Sequence, residues 1–148
     1  VMDFIKIRFT DEFDPSGSAS KAAEELYRLI NPVFSLSERT LKPQIDVYET
    51  ANEIYILAEI AGVEKEDLEV EICQKTVKIS GRRKQMHHSE KGTYRMVEIQ
   101  YGPFERHLLL PGLVDPENVT ASYINGLLHV RMAKISRPKT YEVSISEG

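Results

Sequence analysis

The sequence predicts an all-β fold: a β-sandwich over residues 44–133, with a partly helical N-terminal arm and an extended C-terminal tail. Three observations carry that expectation. Stretches of strand length follow one another with apolar residues at every second position. Short turn-forming segments separate them, including Asn125-Gly126, a strong hairpin signal. No long helical pattern lies between them, which favours a sandwich over a mixed α/β fold.

The arm, residues 1–43, contains one helix pattern, "KAAEELYRLI". Ser20 can cap it and Pro32 discourages its continuation. Apolar residues are dense around it, although "DPSGSAS" interrupts them. Phe4, Ile5, Ile7, Phe9 and Phe13 come before the helix, Leu26 lies on its stripe, and Phe34 and Leu36 follow. Such a segment must bury itself or remain adhesive.

The strand patterns come next. "QIDVYET" alternates Ile45 and Val47 with Asp46 and Tyr48, and "EIYILAEI" sets Ile54, Ile56, Ala58 and Ile60 on one face. "LEVEIC" is the clearest, with Leu68, Val70 and Ile72 against Glu69 and Glu71. "TVKIS" repeats it through Val77 and Ile79. "FERHLLL" gathers Phe104, Leu108 and Leu110 on a face that also carries Arg106. A charge there predicts a carboxylate partner at a strand or subunit contact. "VTASYI" and "LLHVRMA" complete the set. One connection, residues 83–100, is too long for a hairpin, and its second half, "TYRMVEIQ", has a strand pattern of its own. The tail, residues 134–148, ends in "VSI" behind a polar stretch holding Pro138.

Composition limits the function. In 148 residues, 41% are hydrophobic and 28% charged, a globular balance. A net charge of -4 supplies no global basic field for nucleic acid or an anionic membrane. The basic run "GRRKQ" lacks the aromatic or groove-reading residues nucleic-acid binding needs. The single cysteine, Cys73, cannot form an intramolecular disulfide and favours a reducing compartment. No apolar run approaches the ~18 residues of a membrane helix, and "VMDFIKIRFT" is too charged for a secretory signal. A cytoplasmic location is expected.

Catalytic signals are missing. The chain shows no phosphate-cradling glycine loop, no nucleophile elbow and no zinc spacing. His87 and His88 are adjacent in a polar loop and read as solvated rather than as a chelate. His107 and His129 fall on the polar sides of their strand patterns and read as exposed or half-buried imidazoles. No enzyme, metal or cofactor is expected.

At this point the residues resemble a family. "GPFERHLLLP" is similar to the Gly-x-Phe-x-Arg-x-x-x-Leu-Pro signature of small heat-shock proteins. "ASYINGLLHV" resembles their Ala-x-x-x-Asn-Gly-x-Leu signature, and "AEIAGVEKEDLEVEI" their strand–turn–strand segment. "KISGRR" resembles the strand that follows, and "VSI" the C-terminal Ile-x-Ile/Val motif. Two departures are Ala61, where the family often has proline, and Val143 in place of isoleucine.

The resemblance implies an α-crystallin domain, an immunoglobulin-like antiparallel sandwich, acting as an ATP-independent holdase for partially unfolded client proteins. It implies homodimers that assemble into larger homo-oligomers, with no nucleic-acid, membrane or ATP partner. The loop resembles the bacterial, archaeal and plant type, in which a loop strand carrying Tyr94, Met96, Val97 and Ile99 is exchanged between partners. Val143 and Ile145 would dock in a groove lined by Val70, Ile72, Val119 and Ala121, some of which can equally be core. The apolar arm residues would meet clients or pack inside the oligomer. A sandwich-fold co-chaperone or adaptor that binds another chaperone is the alternative, and native mass separates the two.

Overall fold

The computed structural model describes residues 5–10, 21–23, 41–86, 88, 90–135 and 142–147. Among these residues eight strands fall into two sheets: β1 Lys6–Phe9, β2 Ile45–Glu49, β3 Glu53–Glu59, β4 Glu69–Cys73, β5 Thr76–Arg83, β6 Gly102–Leu109, β7 Val114–Ile124 and β8 Leu127–Lys134. One sheet has the order β1-β4-β5-β6, the other β2-β3-β8-β7. Seven of these strands are those the alternation predicts, and the all-β sandwich stands. β1 comes from residues expected to be arm, and it pairs with β4 in parallel while every other pair is antiparallel.

The alternation becomes the core directly. Ile54, Ile56 and Ala58 of β3 face Val70 and Ile72 of β4, Val77 and Ile79 of β5, and Leu128, Val130 and Met132 of β8 in one buried cluster. Each of these apart from Ala58 gains roughly 1.5–3 kcal/mol by leaving water. Ile5, Ile7, Val119 and Ala121 pack on the rim of that cluster.

The turns supply the backbone freedom the register requires. Asn125 and Gly126 take φ of 54° and 78°, the left-handed pair of a tight hairpin between β7 and β8. A Cβ on Gly126 would lie 2.9 Å from Ala61, while its carbonyl accepts from the Ile60 N–H at 2.8 Å. Gly62, beside Ala61, also has a positive φ, 76°. The turn thus forms with alanine where the family often has proline.

A buried cation links the two sheets. Arg106, 7% exposed on β6, donates through Nη1 to the carbonyl oxygen of buried Pro43, two residues before β2. The β6 edge therefore lies over the β2 edge, which sets the β1–β4 edge over β7.

One expectation is corrected here. His107 is not exposed or half-buried but 5% exposed. Lys21 sits 3.6 Å from Glu105, two residues from His107 on the same face of β6, so residues 21–23 come to that outer face. The strand pattern holds, but the solvent side is covered. The rest of the predicted helix lies outside the described residues.

Candidate functional site

The residues read as a tail-docking groove all belong to the core cluster or pack against it. Val70 and Ile72 on β4 are buried, and Val119 and Ala121 on β7 are half-buried. In this subunit β1 occupies the outer edge of β4. Ile7 lies opposite Val70 and Phe9 opposite Ile72, and the Thr10 N–H donates to the Ile72 carbonyl at 3.1 Å. Arg8 and Glu69 form an ion pair across the same edge. The segment "FIKIRF" carries the period-two signal of a strand, and that signal was available in the sequence.

The tail triplet is elsewhere. Val143 and Ile145 are 82% and 90% exposed, in a segment without strand pairing. Such side chains gain nothing from the subunit that carries them.

The long connection between β5 and β6 is irregular within the chain, despite its strand pattern. Tyr94, Met96, Val97 and Ile99 are all more than half exposed. Arg83 anchors its base, donating to the Ala61 carbonyl at 2.8 Å and to the Gln100 carbonyl at 3.2 Å. β2, with exposed Val47 and Tyr48, has a single strand neighbour among the described residues. An edge strand of this kind presents a row of backbone donors and acceptors to any extended segment.

Of the arm residues proposed to meet clients, Ile5 and Ile7 pack on the core, and Phe9 is 42% exposed. Phe4, Phe13, Leu26, Phe34 and Leu36 lie outside the described residues.

The charged groups form a surface lattice. On the outer face of the first sheet His107 Nε2 lies 2.9 Å from Glu105, and Lys78 bridges Glu71 at 3.1 Å. His107 above all, with Lys21 and Lys78 adding to it, holds the Glu105 carboxyl below its ordinary value against the opposing effect of burial. Among the described residues no three metal-ligating side chains cluster, and no helix is long and apolar enough to cross a membrane.

Residues 46–146 match the model of the Hsp20/alpha crystallin family. Small heat shock protein C4 of Rickettsia felis is 30% identical over 74% of this chain and 68% of its own. Heat shock protein 16 of Schizosaccharomyces pombe is 32% identical over 68% of this chain and 71% of its own. Among solved structures, heat shock protein 16.0 of S. pombe aligns with a TM-score of 0.62 at 30% identity, covering 72% of this chain and 99% of that one. A small heat-shock protein of Xylella fastidiosa aligns with a TM-score of 0.60 at 26% identity, covering 73% and 99%.

Proposed function

Because the chain belongs to the Hsp20/alpha crystallin family, we propose that it is an ATP-independent holdase, which captures partially unfolded proteins and keeps them from aggregating. A holdase requires no reactive group. It requires apolar surface that an unfolding chain can reach. The observation that carries this reading is the set of aliphatic side chains held in water on a well-packed sandwich: Met96 at 75%, Val143 at 82% and Ile145 at 90% exposure.

The same surfaces support assembly. The loop segment around Tyr94–Ile99 adds as a strand to the open β2 edge of a partner, giving a homodimer. Val143 and Ile145 point to the same side in extended chain and enter the β4–β7 groove of a neighbouring dimer. Residues 135–142 span about 26 Å when extended, at ~3.3 Å per residue, enough to reach a second subunit.

A heat-labile client, warmed with and without this protein in the absence of ATP and followed by light scattering, tests the holdase. The protein suppresses the scattering rise in proportion to its concentration, and ATP changes nothing. A scattering curve unaffected by excess protein overturns the reading. A strict monomer by sedimentation points instead to an adaptor.

A further inference from the structure

The chain contains two short segments of one design. Ile5-Lys6-Ile7 and Val143-Ser144-Ile145 each hold two branched aliphatics around one polar residue. In extended chain the two aliphatics of each point to the same side. The structure puts the first on the rim of the core, along the β4 edge, and leaves the second in water.

That edge admits one strand. β4 is paired with β5 on its other side from Glu69 to Cys73. Its free side is taken by β1 from Glu69 to Ile72, and the Ile72 carbonyl accepts from Thr10 at 3.1 Å. Each backbone N–H makes one ladder bond, so a second strand cannot pair with β4 while β1 is present. The apolar surface is shared too. Ile7 lies opposite Val70, and Ile5, Ile7, Val119 and Ala121 all pack on one cluster.

We infer that Ile5–Thr10 is the resident occupant of the β4–β7 groove, and that the Val143–Ile145 triplet of a second copy docks there only by displacing it. This rests on the tail-docking reading given above. The two events are then linked. Docking a tail frees Ile5, Ile7 and Phe9 from the sandwich, so closing the assembly uncovers adhesive residues of the arm. By reciprocity, anything that captures the arm favours tail docking.

The test uses the full chain carrying Val143→Gly and Ile145→Gly, so that its own tail does not compete. A fluorescent synthetic peptide of residues 138–148 is titrated onto it and followed by anisotropy. The same protein with Ile5→Gly and Ile7→Gly added is titrated in parallel. An arm docked nine times in ten weakens apparent affinity roughly tenfold, so the arm variant binds the peptide about tenfold more tightly. Thr10→Pro, which deletes the donor to Ile72, shifts affinity in the same direction by less and decides the matter if the double glycine variant does not fold. Equal affinity with and without a competent arm overturns the exclusion and leaves tail docking intact. Absence of peptide binding to every variant overturns tail docking, and this inference with it.

Discussion

Arg106→Gly is expected to loosen the sandwich at the edge where a partner strand would add. The side chain is 7% exposed and donates to the carbonyl of Pro43, itself buried, just ahead of β2. Removing it leaves that carbonyl short of its donor, at about 1–3 kcal/mol. It also removes an aliphatic stem packed between the sheets, worth about 2 kcal/mol. Together the loss is about 3–5 kcal/mol, a large share of the 5–15 kcal/mol typical of a folded domain. Arg106→Met separates the two parts: it keeps most of the stem, loses the hydrogen bond and costs about 1–3 kcal/mol. Urea unfolding at matched protein concentration reads both, and the midpoints should fall in the order wild type, Met, Gly. A midpoint for Arg106→Gly equivalent to less than about 0.5 kcal/mol would place the guanidinium on a tolerant surface and refute the link it is assigned here.

Deleting residues 86–97 removes most of the segment proposed to pair with β2 of a partner. The product should be a folded monomer by sedimentation, and a persistent dimer would show that the interface lies elsewhere. Glu105 is held below its ordinary carboxyl value of 4.5, chiefly by His107. A carboxylate with a lowered folded-state value contributes stability above its unfolded value and loses it as pH falls through the folded one. The melting midpoint should therefore drop on acidification from about pH 5 to pH 3, and Glu105→Gln should flatten that drop. Identical slopes for the two proteins would mean the His107 contact is not maintained in solution.

Strands β2–β8 were legible because each signals itself locally. Val70 and Ile72, or Leu128 and Val130, alternate with charged or polar residues, and Asn125-Gly126 fixes the last hairpin. β1 carries the same alternation. What a local pattern cannot give is its partner, since Lys6 pairs with Glu69 far along the chain and in parallel. His107 was misread for a related reason. Its strand face follows the alternation, but His107 itself is buried there, and Lys21, remote in sequence, reaches Glu105 on the same face. The groove residues show the limit from the other side. Val70 and Ile72 serve the core in this subunit whether or not a tail ever reaches them.

The loop presents the opposite case, a strand pattern without a strand. "TYRMVEIQ" alternates well enough, yet a strand exists only through its ladder, and no edge of its own subunit receives it. Backbone accounting then argues from the subunit to the assembly. Among the described residues β1, β2, β6 and β7 each keep one unpaired edge, and β1 covers that of β4. Two exposed apolar segments among the described residues have no strand pairing, the loop around Met96 and the triplet Val143–Ile145. On the reading proposed above, open edges and these segments satisfy one another between copies, with the loop held at its base by Arg83 against the Ala61 carbonyl. If the tail docks as proposed, β1 is the piece that makes the arrangement reversible: it fills in advance, with residues of the subunit's own arm, the β4 edge that a neighbour's tail would require.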